Sequence, residues 1–263
     1  MSKSKHFSAS LIVLLTSTLQ PRGASAAKIE ERKRQYREAV EFWLAYPDQR
    51  IAGLVYCDNS SPDLAWVHDL AKHSSGARRL ETLYYPENEM PSGVHYGYPE
   101  LGIVDHCLRN SALLAECEYF AKVTGRLKFP RFMRLLDKLP ASLDACIDYR
   151  AAYGREKKTW AKFRARTQLM LFRTEFYRQQ VQDQRALMVT GHTAGMGITH
   201  IEELLPGILI PGAKGSERVV FRWPVECPPS GVGGNGDNFD GARRRIKSLA
   251  FSGVRRFIPF WWI

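Results

Sequence analysis

Residues 11–18 read Leu11-Ile12-Val13-Leu14-Leu15-Thr16-Ser17-Thr18, an aliphatic run that ends in three hydroxyl residues. Two readings compete. Lys3 and Lys5 ahead of the run, with Ala24-Ser25-Ala26-Ala27 behind it, outline a secretory signal in which residues 1–26 are removed. Yet the run is short, hydroxyls interrupt it, and Gln20-Pro21-Arg22 separates it from the small residues. A short continuous aliphatic run followed by turn chemistry is also what a parallel strand, buried on both faces, requires. Composition alone weighs the two nearly equally.

The segments that follow bear on the choice. Ile29, Tyr36, Ala39, Val40, Trp43 and Leu44 recur at helical spacing opposite a charged face, which predicts an amphipathic helix over 28–45, ended by Pro47. Ile51 to Cys57 is a second apolar run, and Asp58-Asn59-Ser60-Ser61-Pro62 is turn chemistry. A helix over about 62–73, a strand over 79–85, a Gly/Pro-rich loop over 86–99, a helix over 100–114 and a strand over 119–124 continue the pattern. Strands alternating with helices predict an α/β fold: one Rossmann-like domain with a mostly parallel central sheet. Ligands of such sheets bind at the carboxyl ends of strands, near the point where strand order reverses. Three strand ends are polar here, Thr16-Ser17-Thr18, Asp58-Asn59-Ser60 and Lys122 to Arg126, and they are expected to converge on one crevice.

The chain has 263 residues, 44% of them hydrophobic and 25% charged, which excludes disordered, collagenous and coiled-coil classes. No apolar run is long enough to cross a membrane. A net charge of +11 points to an anionic partner: nucleic acid, a phosphorylated ligand or acidic lipid. The five cysteines form no C-x-x-C pair and read as free thiols. Residues 150–178 are rich in Lys and Arg, with Tyr153, Trp160 and Phe163 among them, and a helix is expected over about 158–180. This stretch keeps a nucleic-acid-binding reading open. A short helix is expected from His200 to Leu205, a strand from Arg218 to Trp223, and a mobile loop over 228–241. In that loop Gly231-Val-Gly-Gly-Asn-Gly236 spells G-x-G-x-x-G, but no βαβ unit and no ribose-binding acid follow, so a dinucleotide site is rejected.

Several residues carry possible chemistry beside a plain alternative. Lys122, Thr124, Gly125 and Arg126 suit a diphosphate, or form a solvated turn. Asp58, Asn59 and Ser60 suit a base or ribose, or cap a helix; Asn59-Ser60-Ser61 is also a glycosylation sequon, which matters only in a secreted chain. Glu202 or Glu203, after His200, suits a general base, or lies on a solvated helix face. Asp144 and Asp148 would share a face if helical and are a weak candidate for a metal. The tail sets Arg244, Arg245, Arg255 and Arg256 against an apolar side that ends in Phe260-Trp261-Trp262-Ile263. That pattern fits a helix lying on an anionic membrane surface, or a terminal helix docked on the core.

Taken together, these residues resemble the bacterial polysaccharide-biosynthesis glycosyltransferases of the nucleotide-sugar-binding A-type fold. The resemblance covers about residues 11–127. It runs through Leu15-Thr16-Ser17-Thr18, Arg32 to Tyr36 and Ala39, Asp58-Asn59-Ser60, Gly97-Tyr98-Pro99-Glu100, Asn110-Ser111 and, most specifically, Lys122-x-Thr124-Gly125-Arg126. Two departures stand out: Asp58 replaces the family's usual Glu, and His95-Tyr-Gly-Tyr-Pro-Glu100 replaces Gly-Lys-Gly-Tyr-Gly-Glu. The resemblance implies that residues 11–19 are a retained core strand. It implies a nucleotide-diphospho-sugar donor held by Thr16, Thr18, Asp58, Asn59, Ser60, Lys122, Thr124, Gly125 and Arg126, with Glu202 as base toward a glycan or lipid-linked acceptor. No cofactor is fixed; manganese or magnesium is the ion where one is used. A glycosyltransferase-like domain over 1–240, with a nucleotide half over about 8–127 and an acceptor half over 128–240, would carry a basic tail over 241–263. That tail would hold a cytoplasmic enzyme peripherally at the inner membrane face, through Arg244, Arg245, Arg255, Arg256, Trp261 and Trp262.

Overall fold

The computed structural model describes residues 6–74, 78–154, 159–193, 200–212, 217–233, 236, 238–241 and 253. The run at residues 11–17 is its central strand, β1 (Leu11–Ser17), buried along its whole length. Both faces are covered: Leu11, Val13 and Leu15 enter one hydrophobic core, and Ile12 and Leu14 enter another. This two-sided burial explains why the segment is continuously aliphatic rather than alternating. β1 pairs in parallel with β2 (Ile51–Asp58) on one side and β4 (Tyr119–Thr124) on the other. A chain cleaved near residue 26 would lack this strand.

The βα alternation follows as the periodicity predicts. α1 (Ala26–Leu44) starts on Ser25, whose hydroxyl accepts from the Lys28 amide at 3.3 Å. It buries Tyr36, Val40, Trp43 and Leu44, and the Trp43 indole donates to the Leu127 carbonyl at 3.0 Å. Next come α2 (Ala65–His73), β3 (Arg79–Tyr84), α3 (Gly97–Asn110) and α4 (Ala112–Ala115). Beyond β4 lie β5 (Leu127–Lys128), α5 (Phe132–Leu136), β6 (Ala145–Gly154), β7 (Thr159–Arg173), α6 (Thr174–Gln180), α7 (Ala186–Thr193), α8 (Ile201–Gly212), β8 (Val219–Val220) and β9 (Ser230–Gly231). The main sheet has seven strands in the order β3-β2-β1-β4-β7-β6-β8. Its β4–β7 and β6–β7 pairs are antiparallel and the others parallel. Residues of α1, α2 and α5 pack on one face, and those of α3, α6 and α8 on the other. Strand order reverses between β1 and β4.

The second half departs from expectation. The helix expected over 158–180 is β7 followed by the short α6. From Arg164 to Leu169, partly exposed residues alternate with buried ones, so a period of two lies beneath the run of cations. Asp144 and Asp148 do not share a helix face either. Asp144 precedes β6 and pairs with Arg173 and Arg218 at 2.8 Å each, while Asp148, on β6, pairs with Arg150 at 2.5 Å. These cations already neutralise both carboxylates. The expected strand over 218–223 shrinks to Val219–Val220. The 228–241 segment is anchored at its start, where β9 pairs with β5. The cysteines are free, four of them buried and Cys117 partly so. Among the described residues no helix is long and apolar enough to cross a membrane. Apart from residue 253 the tail from 242 on, with Arg244, Arg245, Arg255, Arg256, Trp261 and Trp262, lies outside the described residues, as do the side chains of Tyr153, Trp160 and Phe163.

Candidate functional site

At the reversal point Thr16 of β1 stands beside Thr124 of β4. A crevice of about 490 Å³ opens over these strand ends, lined by Thr16, Thr18, Arg32, Tyr36, Glu100, Thr124, Arg126 and Glu202 among others. Its position is the one a parallel sheet dictates.

The floor is built on Glu100, in the first turn of α3. Its Oε1 accepts from the Thr16 hydroxyl at 3.1 Å and the Thr124 hydroxyl at 3.2 Å, and it pairs with the Lys122 ammonium. Lys122 is fully buried and also donates to the Thr167 carbonyl at 2.8 Å. Burial pushes the ammonium below its ordinary pKa, and Glu100 opposes that shift. Lys122, expected from sequence to face a diphosphate, lies behind the crevice floor in this structure. Its charge is spent inside, tying β4, β7 and α3 together, and it does not line the crevice.

Asp58 is turned inward in the same way. The carboxylate is wholly buried and takes five hydrogen bonds: from Ser17 at 2.5 Å, the Leu19 amide at 2.8 Å, and the Ser60 amide, Ser60 hydroxyl and Ser61 amide at 2.7 Å each. Asn59 accepts from the Thr18 hydroxyl at 2.7 Å, and Ser60 accepts from the Gln20 amide at 2.8 Å. These three residues tie the loop after β1 to the loop after β2 and do not line the crevice. Gly125 also serves the fold. A Cβ there would lie 2.7 Å from the Thr16 carbonyl oxygen and 3.0 Å from the Tyr36 ring, so the glycine lets β4's end close on β1.

One wall is cationic. The guanidinium carbons of Arg32 and Arg126 each lie 5.8 Å from the centre of the Tyr36 ring. Arg32 donates to the Thr18 carbonyl through Nε at 3.0 Å and Nη2 at 2.6 Å, and the Thr18 amide donates to the Tyr36 hydroxyl at 3.0 Å. Arg126 is 5% exposed; it donates to Gln35 at 3.1 Å and the Gly233 carbonyl at 2.9 Å. Its Nε is buried with no hydrogen-bond partner, and burial lowers its pKa. A desolvated guanidinium with an open donor is a ready partner for a phosphate oxygen.

The opposite side is formed where α3 and α8 begin. A Cβ on Gly97 would lie 2.7 Å from the Ile201 Cβ, so only glycine admits this approach. It brings His95, His200 and Glu202 together, with ligand-type atoms all within 4.8 Å of one another. Burial, reinforced by His200 and Arg164, holds His95 down to about 4. Burial also pushes the Glu202 carboxyl up, with Glu100 adding to the shift.

Of the residues singled out from sequence, Thr16, Thr18, Thr124, Arg126 and Glu202 line the crevice; Asp58, Asn59, Ser60, Lys122 and Gly125 support it from behind. Arg32, Tyr36, Glu100 and His95 were given no site role from sequence, although all four stand in the motifs that carry the family resemblance. A second signal was position: Arg32 and Tyr36 are four apart near the start of the helix that follows β1.

No protein-family model matches the chain, and no curated protein matches it in sequence. Solved structures do resemble it. An active-site variant of LgtC aligns with a TM-score of 0.51 at 11% identity, over 80% of this chain and 72% of that one. The galactosyltransferase LgtC in complex with donor and acceptor sugar analogues aligns with a TM-score of 0.50 at 11% identity, over 80% and 73%. The 4-diphosphocytidyl-2C-methyl-D-erythritol synthase of Anaerococcus prevotii aligns with a TM-score of 0.47 at 10% identity, over 92% and 96%. The LgtC likeness is one of fold: the chain adopts the α/β architecture of the A-type nucleotide-sugar transferases, built on a mostly parallel seven-stranded sheet.

Proposed function

We propose that this chain is a glycosyltransferase that moves a sugar from a nucleoside-diphosphate donor to a hydroxyl of a glycan or lipid-linked acceptor. The observation that carries the proposal is the Arg32–Tyr36–Arg126 wall at the carboxyl ends of β1 and β4. Two guanidiniums held on one ring suit two linked phosphates, and the fold is shared with a galactosyltransferase solved with donor and acceptor sugar analogues. In the proposed reaction the acceptor oxygen bonds to the anomeric carbon as the bond to the diphosphate oxygen breaks. The electron pair leaves with the diphosphate, whose growing charge Arg32 and Arg126 stabilise; charges aimed at a developing anion are commonly the largest catalytic term. The acceptor proton passes to Glu202, whose burial raises its proton affinity. The A-type fold suggests a divalent ion. The sequence has no Asp-x-Asp pair, and the His95, His200 and Glu202 set, two nitrogens and a carboxylate, suits an imidazole-seeking ion better than oxygen-seeking magnesium or manganese and would hold one only while Glu202 is not acting as the base.

The finer reading is cell-surface polysaccharide synthesis by a single domain over 1–240, held at the cytoplasmic membrane face by the tail over 241–263. The tail's basic and tryptophan-rich pattern supports it. Thermal unfolding with a panel of nucleoside diphosphates tests the donor assignment. A selective ligand at 100 times its dissociation constant adds about 2.7 kcal/mol, and R126A removes that gain. No shift with any of them, in a folded protein, refutes the proposal.

A further inference from the structure

We infer that His95, His200 and Glu202 form a binding site for one divalent transition-metal ion of the zinc or cobalt type, at the edge of the crevice where α3 and α8 meet. The ligand atoms of the three side chains lie within 4.8 Å of one another. Two of the polar atoms in this corner, His95 Nδ1 and Glu202 Oε2, are buried with no hydrogen-bond partner. Buried polar atoms ordinarily find partners, so two orphans in one corner point to a missing ligand. The rings of His95 and His200 lie 4.3 Å apart at a tilt of 42°, and His200 Nδ1 is 3.9 Å from Glu202 Oε2. That spacing is too wide for a direct hydrogen bond. Ligands on tetrahedral zinc sit about 3.3 Å apart, given bonds of about 2.0–2.1 Å, so side-chain rotations of an ångström or so would close the set.

The backbone favours this arrangement. The contact of Gly97 with Ile201 holds the segment before α3 against the start of α8. Two imidazole nitrogens and one carboxylate oxygen select a borderline transition metal over magnesium or calcium. Three protein ligands leave a coordination position open, and Glu202 is itself part of the crevice lining. The inference touches the proposed function at one point: a Glu202 oxygen that holds an ion does not also accept a proton, so ion occupancy and the base role exclude one another.

The test uses the untagged full chain, stripped with chelator and titrated with cobalt(II), read by visible absorption and by equilibrium dialysis. The expected result is one cobalt per chain with ligand-field bands. H95A and H200A each weaken binding at least tenfold, and H73A, at an exposed histidine on α2, leaves it unchanged. Metal-free melting curves confirm that the variants fold; should H95A not fold, H200Q supplies the same comparison. Absence of the bands, or equal cobalt affinity in the wild type and H200Q, overturns the site. Nucleoside-diphosphate binding, measured on the same samples without metal, reports separately on the sugar-transfer reading.

Discussion

Replacing Lys122 with methionine separates an interior role from a phosphate-binding one. Methionine keeps the length of the stem and deletes the ammonium. Lys122 is fully buried, pairs with Glu100, and donates to the Thr167 carbonyl at 2.8 Å and the Thr124 hydroxyl at 3.3 Å. Breaking a buried pair by removing one partner costs about 3–5 kcal/mol. The Glu100 side chain retains two threonine hydroxyls and 16% exposure to the crevice, which places the expected loss near the lower end, about 3 kcal/mol. Urea unfolding at pH 7 without ligand measures it. K122M combined with E100Q should be more stable than the sum of the single losses by about 2 kcal/mol, because the two groups touch. A K122M protein within about 0.5 kcal/mol of wild type, the range of an ordinary surface change, would refute the reasoning. So would strictly additive losses. A lysine aimed at a ligand would leave stability intact and weaken nucleotide binding instead.

Other consequences are equally direct. G125A forces a Cβ to 2.7 Å from the Thr16 carbonyl oxygen and should destabilise by about 1–3 kcal/mol, read as a lower melting temperature. D58A leaves a buried cluster of donors around the β1 and β2 loops unsatisfied and should cost about 3 kcal/mol or more in urea unfolding; a loss under about 1 kcal/mol would contradict its loop-tying role. Asp105, 2% exposed, has its carboxyl raised to about 6 by burial, the Tyr177 hydroxyl and Asp183 amide opposing. The folded state therefore holds this proton more tightly than the unfolded state. Its contribution is full below about pH 4 and is lost as pH rises through about 6, roughly 3 kcal/mol in all. D105N should flatten the stability curve across that window, and parallel curves for the two proteins would exclude the effect.

The first half of the fold is legible because its signals are local. The aliphatic run at 11–15, the 36–40–43–44 stripe of α1 and the turn after Asp58 each announce an element within a few residues. β7 is hidden because Arg164 and Arg166 read as a charged helix face unless the buried Ala165, Thr167 and Leu169 that alternate with partly exposed residues are noticed. The crevice is legible in place but only partly in composition. A cation at a strand end can face solvent or the interior, and sequence does not distinguish the buried Lys122 from the crevice-lining Arg126. Glu100 becomes the centre of the floor only when β1 and β4 align Thr16 with Thr124 and α3 covers both. His95 and His200 meet through a helix contact that Gly97 permits, which no local pattern encodes.

The central claim is that the crevice wall of Arg32, Tyr36 and Arg126 holds a diphosphate. Its most direct test is a crystal structure of the protein with the nucleoside diphosphate that most raises its melting temperature. Phosphate oxygens are expected within hydrogen-bond distance of the Arg126 and Arg32 guanidiniums, over the ends of β1 and β4. A diphosphate bound elsewhere, with both arginines still in their present contacts, would contradict it.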